Sequence, residues 1–493
     1  MFSSHLIASL LTFAPVVIVA LTALVVMIAI AIKRSHFWSA TLSVIGLNTA
    51  LISLIAQAFG LLPFGQVSHL FSIDGFALFN MAVILVASLA CCTLAYGYFG
   101  TLKDNKDELY LLMLISTIGA MLMVSSTHLT SFFMSLELLS VPMYGMLAYT
   151  FLRARSLESG LKYLVLSATA SATLLMGMAF IFADTGAMSF DALGLALTEG
   201  RVGLWFALGV VMMVAAIAFK LSAAPFHSWV SDAYEGAPAP IAAFLASVSK
   251  VAMMALAIRF LTVSMVPSLA AFDAVLVFII AASILLGNLL AIRQNNLKRL
   301  LAYSSIAHIG YALVALLSVR GNSTGVISMY MAIYALTSIG AFGVITLMSS
   351  PYKERGRTSI SGEADELRFY QGLFWRRPVL TAVLTIMLLS LASIPLTAGF
   401  MTKVMIIFSS VQGMRFWAAL FVILGSAIGL VYYLRVLTQL YQRPKVHLEY
   451  DAHHEWGVKA GGVMLLIVTA IIVVFGILPN GLMNIASVAT VMP

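Results

Sequence analysis

The sequence predicts an all-α, polytopic membrane protein of 14 transmembrane helices, with two inverted five-helix repeats and two broken helices. Three observations carry that prediction. Of the 493 residues, 62% are hydrophobic and only 9% charged, against about 45–50% and about 25% in soluble domains. Apolar runs of about 20 residues, the length of a bilayer-crossing helix, follow one another along the whole chain and leave no stretch for a soluble domain. Two of the later runs are interrupted by proline at matching places, Pro225 and Pro395.

The first run, Leu6 to Ile32, is too long for the apolar core of a signal peptide. It also lacks a basic leader and a small-residue cleavage site, so it reads as the first span. Further runs cover residues 37–61, 74–99, 108–124, 126–150, 160–183 and 203–224, then 240–262, 269–292, 299–319, 325–349, 378–411, 415–442 and 459–483. Of the 27 Lys and Arg, 19 fall in loops after odd-numbered helices, three (Arg201, Arg320, Arg415) after even-numbered ones and five within spans. Positive loops stay in the cytoplasm, so the odd loops belong there and both termini lie outside. The net charge of +8 is thus a topology signal and points to no nucleic-acid partner. Loop 225–239 has neither Lys nor Arg and takes its side from its neighbours.

Helices 4–8 and 9–13 form consecutive blocks of five, and an odd number of spans makes the second copy enter the membrane upside down. The expected organisation is an N-terminal three-helix segment (1–107), repeat 1 (108–262), repeat 2 (263–442), and a loop with the last helix (443–493). The fourth helix of each block carries the proline. Pro has no N–H and collides with the carbonyl four residues back, so the Leu221 and Leu391 carbonyls lose their helical partners. Broken backbone at membrane depth survives only when buried in protein or lining a wet cavity. A proline kink with no further role is the competing reading of either break alone.

Charges stranded in these spans are the candidate functional groups. Glu137 is the one acidic residue in the middle of a run, where a charge costs about 3 kcal/mol; Asp74 and Asp273 sit at span ends. Lys220, Lys250 and Lys403 lie in equally apolar surroundings, and His308 shares a helical face with Ser304 and Tyr311. A buried lysine needs a counter-charge, and Glu137 could give one to Lys220. Lys250 has Ser247 one turn earlier. The imidazole of His308 titrates near neutral pH and suits a relay. Together these groups read as a cation path, for protons.

Each has a plainer alternative. Glu137 could be satisfied by Ser135 or Ser140, Lys220 by a static ion pair, His308 by the core, and Lys403 by snorkelling to the interface. Arg259, near a span end, reads as snorkelling, and Arg435 is undecided. The cluster His447, Glu449, Asp451, His453, His454 and Glu455 has metal-ligand residue types without ligand spacing and reads as a solvated loop. Cys91 and Cys92 are adjacent within a span, unsuited to a disulfide or an iron–sulfur cluster. No phosphate-binding or dinucleotide-binding glycine motif occurs, so redox and nucleotide chemistry would belong to other chains.

Four stretches, SLELLSVPMYG, KLSAAPFHSWVSDAYEGAPAP, LKRLLAYSSIAHIGY and SIPLTAGFMTK, resemble the antiporter-like membrane subunits of bacterial respiratory NADH-quinone oxidoreductase. These are related to subunits of multisubunit cation/proton antiporters. The form D-x-Y-x-G-A-P-A-P from Asp232 to Pro240, a lysine at 403 and the lack of a long amphipathic C-terminal arm point to one branch of that family. Ser231 and Thr402 depart from its usual Pro and Gly. By resemblance, Glu137 is the essential glutamate, Lys220 its paired lysine, Lys250 the central lysine and Lys403 the lysine at the outlet. The resemblance implies no cofactor on this chain, with FMN, iron–sulfur clusters and quinone on partner subunits. It also implies a neighbouring antiporter-like subunit among the membrane-arm partners, and a place in the bacterial inner membrane with periplasmic termini. An autonomous Na⁺/H⁺ antiporter and a spacer whose buried charges only fix helix register are the rival expectations.

Overall fold

The computed structural model describes residues 9–100, 106–266, 270–317, 323–349, 363–443, 450–453, 455–481 and 484. Twelve helices among the described residues are long and apolar enough to cross a membrane. In chain order the labelled helices begin with α1 (Ala14–Ile32), α2 (His36–Ala58), α3 (Gly75–Phe99), α4 (Glu108–Ser125), α5 (Leu129–Leu147), α6 (Ala154–Thr185), α7 (Phe190–Thr198), α8 (Leu204–Leu221) and α9 (Ser228–Gly236). They continue with α10 (Ala239–Val263), α11 (Ala270–Ile292), α12 (Leu297–Leu317), α13 (Ser323–Met348), α14 (Pro378–Leu391), α15 (Ala398–Gln412), α16 (Phe416–Tyr441) and α17 (Ala460–Ile477). The amphipathic α7 and α9 lie between spans. Helix α5, whose mean hydropathy is lowered by Glu137 and its serines, and the pair α14–α15 around Pro395 bring the set to a number compatible with fourteen crossings.

Most expected boundaries match the helices to within a few residues; the larger differences are at α1, labelled from Ala14 and not Leu6, at α6, which starts six residues early at Ala154, and at α17, which ends six residues early at Ile477. Features that hydropathy does not set also appear. Strands β1 (Gly65–Ser68) and β2 (Phe71–Ile73) pair antiparallel, Gly65 opposite Ile73, in the loop between α2 and α3. Helix α10 contains a π-helical turn, Leu245–Ser249, directly before Lys250. Such turns interrupt α-helices mostly where function or strain requires it.

Helix α10 is wrapped on all sides: its most apolar 18-residue window is wholly buried. Helices α12 and α13 are nearly as enclosed, whereas α1, α6, α16 and α17 turn much of their surface outward. Helices α4 and α5 approach to backbone contact at Gly119, where a Cβ would stand 2.4 Å from the Leu139 nitrogen. Ser116 seals that contact by donating to the Leu139 carbonyl at 2.9 Å.

Ion pairs gather the basic segments on one face. Asp232 accepts from Lys162 (2.9 Å) and Arg299 (2.9 Å), and Glu235 pairs with Arg299 (2.7 Å) and Arg155 (3.7 Å). The loop without Lys or Arg is therefore seated among the basic loops. Beside it Glu363, its side chain 6% exposed, accepts from Lys298 at 2.5 Å, lies 3.6 Å from Arg153, and takes hydrogen bonds from the Tyr98 hydroxyl and the Ala239 N–H. Burial alone would raise this carboxyl, but Lys298 and Arg153 outweigh it and hold the group below the usual range. Of the acidic and histidine cluster, His447, Glu449 and His454 lie outside the described residues; Asp451 pairs with Arg377 (3.1 Å) and Arg376 (3.7 Å).

The opposite face carries the β-hairpin, and there Arg259 corrects the expectation of snorkelling. It is 2% exposed, donates to Asp74 from both terminal nitrogens (3.0 and 2.6 Å) and to the Val124 carbonyl (3.0 Å), and lies over the Phe76 ring. Its guanidinium is inside because Asp74, which also caps α3 through the Ala77 N–H, offers a carboxylate at the right depth. Arg435 is likewise spoken for: it donates to the Ile292 carbonyl at 2.8 Å and to the Gln294 carbonyl, covering the end of α11.

Candidate functional site

Lys220, Lys250, His308 and Lys403 are all between 1% and 6% exposed, and each has polar partners. Glu137 is only partly buried. Its Oε1 accepts from the Ser171 hydroxyl at 2.5 Å. Lys220, across on α8, donates to Ser140 on α5 (3.0 Å) and to Ser167 on α6 (2.7 Å), and Ser167 also meets the Tyr144 hydroxyl at 2.9 Å. Ser167 and Ser171 are four residues apart and so share one face of α6. The carboxylate and the ammonium are thus brought to one serine-lined site, but among the described residues they form no direct ion pair. The expected serine partners of Glu137 were Ser135 and Ser140; Ser135 instead donates to the Ser131 carbonyl and Ser140 serves Lys220.

At the end of α8 the effect expected of Pro225 has a partner. Lys250 reaches across from α10 and donates to the Leu221 carbonyl at 2.7 Å and to the Ser222 hydroxyl. Ser222 occupies the left-handed region, φ 58°. Trp229 covers a further carbonyl, that of Phe219, at 3.0 Å. Ser247, expected beside Lys250, donates to the Ala243 carbonyl of its own helix instead. The Leu221 carbonyl, which lacks a helical partner, accepts from the Ser222 hydroxyl at 2.5 Å as well, so the buried ammonium joins a polar cluster at the helix end and not a hydroxyl engaged within its own helix.

In the second half His308 is ringed by tyrosines. Its Nδ1 meets the Tyr330 hydroxyl at 2.6 Å and its Nε2 the Tyr433 hydroxyl at 3.3 Å, and Tyr433 also bonds Ser304. The Tyr311 ring stands edge-on to the imidazole, centroids 5.6 Å apart. Lys403 sits 4.2 Å above that same Tyr311 ring and donates to Ser426 at 3.1 Å, so it is held inward by a cation–π contact and a hydroxyl. A cavity of about 10 Å³ lies beside His308, lined also by Tyr330, Ser390, Leu391, Ser393 and Thr402 among others.

Sequence reasoning missed the serines of α6, the tyrosine ring and the buried Glu363. The one available signal was the small hydroxyl residues at four-residue spacing in α6.

A bundle of apolar helices with buried lysines at interrupted spans defines a class, the antiporter-like membrane subunits. Residues 126–429 match the family described as NADH:quinone oxidoreductase/Mrp antiporter, TM, and the chain belongs to it. Its relatives are more specific. It is 59% identical to NADH-quinone oxidoreductase subunit N of Psychrobacter arcticus, covering 99% of both chains, and 51% identical to subunit N of Acinetobacter baumannii, over 98% of this chain and 96% of that one. A chain of respiratory complex I from Thermus thermophilus superimposes with a TM-score of 0.81 at 26% identity, over 96% of this chain and 99% of that one. The Mrp complex from Dietzia sp. shares the fold alone, with a TM-score of 0.82 at 19% identity over 98% and 97% of the two chains.

Proposed function

We propose that this chain is a proton-translocating, antiporter-like membrane subunit of an NADH-quinone oxidoreductase, corresponding to its subunit N relatives. It lies in the bacterial inner membrane with both termini periplasmic, beside a neighbouring antiporter-like subunit. Electron transfer from NADH to quinone takes place on other subunits, which carry FMN, iron–sulfur clusters and the quinone site. This chain performs no redox step. Quinone reduction shifts Glu137 relative to Lys220, the lysine yields its proton along Lys250 and His308, and Lys403 releases it outward.

The observation that carries this reading is the Lys250 ammonium seated on the Leu221 carbonyl at the proline break. It ties a titratable group of one helix to the interrupted end of another, the arrangement in which a proton gained or lost changes how the two halves meet. Two similar breaks also support residues 108–262 and 263–442 as inverted repeats. Ser222 and Ser393 are both left-handed, φ 58° and 59°, and each is fixed by the same bonding pattern. Ser222 N–H donates to Phe219 and Ala223 N–H to Ala218; Ser393 N–H donates to Ser390 and Ile394 N–H to Leu389.

Lys250→Ala and Glu137→Ala in the assembled complex test the reading. NADH-driven acidification of inverted membrane vesicles should fall in both while assembly, checked on native gels, persists. Full acidification by both assembled variants would refute it. Acidification that follows Na⁺ rather than NADH would favour an autonomous antiporter.

A further inference from the structure

Asn288 is an amide buried within the apolar run of α11, and it is not one of the ionisable groups of the path. Its Nδ2 donates to the Ile284 carbonyl of its own helix (2.8 Å) and to the Tyr311 hydroxyl on α12 (2.9 Å), and its Oδ1 accepts from the Tyr432 hydroxyl on α16 (3.1 Å). The Ile284 carbonyl can only accept, so the nitrogen must face it and the oxygen is left for Tyr432. Helix α16 makes room for this cluster with two glycines one turn apart. A Cβ at Gly429 would stand 3.1 Å from the Asn288 Oδ1, and one at Gly425 would stand 2.8 Å from the Tyr311 hydroxyl and 3.0 Å from its ring.

Tyr311, held by its hydroxyl, is the ring that His308 and Lys403 share. It stands edge-on to the imidazole, and its face lies 4.2 Å from the Lys403 ammonium. A cation is attracted to the face of an aromatic ring and only within about 6 Å of its centre, so the tilt of Tyr311 decides how well Lys403 is supported. We propose that Asn288 is a positioning residue for proton translocation: by tying the Tyr311 hydroxyl it keeps the ring face on Lys403, and so sets how firmly that lysine holds its proton. Among the described residues Asn288 bonds neither Lys403 nor His308, so it acts through Tyr311. The role rests on the proton path proposed above. The competing account is that the amide only glues α11, α12 and α16 together, as polar side chains do between spans.

Asn288→Leu, near-isosteric and apolar, removes the tie. In the assembled complex NADH-driven acidification of inverted vesicles should fall several-fold, and a cryo-electron microscopy map that resolves side chains should show the Tyr311 ring moved off Lys403. Tyr311→Phe, which keeps the ring and removes the hydroxyl, should lose as much. The double variant separates positioning from glue. Tyr311→Phe alone leaves a buried amide N–H without its acceptor, and replacing both partners removes that penalty. The unfolding temperature of the double variant should therefore equal or exceed that of Tyr311→Phe, while acidification stays as low as in either single variant. Acidification that recovers together with the unfolding temperature overturns the positioning role, as does a Tyr311 ring that keeps its place in Asn288→Leu. Full acidification by assembled Asn288→Leu, measured where Glu137→Ala is impaired, overturns it too and leaves the path standing. Full acidification by Glu137→Ala and Lys250→Ala as well means that the proton path itself has failed.

Discussion

At the scale of single residues, the groups that matter are those that the membrane makes expensive. Glu137, Lys220, Lys250, His308 and Lys403 could be picked out from the sequence because an ionisable side chain inside an apolar run is conspicuous on solvation energy alone. Their partners could not. A serine costs little in a span and does not announce which helix it faces, so Ser167 and Ser171 were invisible until α6 was seen against α5 and α8. Arg259 was misjudged for a related reason: its position near a span end says nothing about whether Asp74 waits beside it. Ser167 takes one of the two hydrogen bonds that hold Lys220 away from Glu137. Ser167→Ala should therefore let the ammonium move toward the carboxylate, and a hydrogen bond to a charged group is worth about 1.5–3 kcal/mol. The expected outcome is a several-fold lower rate of NADH-driven acidification, restored by Ser167→Thr and absent in a Lys220→Ala background. Additive losses in that background would make Ser167 a packing residue only.

At the scale of elements, the spans were legible because bilayer thickness sets their length and hydropathy their edges. The breaks in the fourth helix of each block were legible because proline removes a donor at a known offset. The β-hairpin, the π-helical turn before Lys250 and the tyrosine ring around His308 were not. Each depends on contacts between segments distant in sequence, and LASVS at 245–249 differs in no obvious way from an ordinary helical turn. The close crossing of α4 and α5 gives a test at this scale. A side chain at 119 would meet the backbone of Leu138 and Leu139, which cannot yield as a flexible side chain can. Gly119→Val should push α5, and Glu137 with it, away from α4 at a cost of about 1–3 kcal/mol. That loss would be read as a lower unfolding temperature of the solubilised complex together with weaker proton pumping.

At the scale of the whole molecule, the distribution of Lys and Arg foretold which loops share a face. It could not foretell that Asp232, Glu235 and Glu363 draw those loops together. Glu363 joins α3, the N-cap of α6, α10 and α12 through Tyr98, Arg153, Ala239 and Lys298. Removing it strands a buried ammonium, a loss of about 3–5 kcal/mol, so Glu363→Gln should lower thermal stability sharply at neutral pH. Burial raises the carboxyls of Glu363 and Asp232, but their cationic partners outweigh it and hold both below the free value. Their stabilisation is then complete above the ordinary carboxylate range and is lost as pH falls through the lowered values. Melting temperatures of the wild type should be flat on this account from about pH 6 to 8 and fall in acid below the free carboxylate range of about 4. In Glu363→Gln the part of that acid-side fall due to Glu363 should disappear.

Helix α10 is enclosed over its whole apolar window and carries Lys250 at mid-span and Arg259 near its end. It is nevertheless made when roughly half the chain, including α12 and α13 that enclose it, has yet to leave the ribosome. Until those helices arrive, the flank that they will cover is open to lipid, and Arg259 and Lys250 have only their partners on the earlier helices, at Asp74 and at the end of α8, to hold them, a state that a bilayer tolerates poorly. Biogenesis of this protein therefore has a vulnerable interval. Chains that stop soon after residue 263 would be expected to be cleared by membrane proteases, whereas chains that extend past residue 348 would escape.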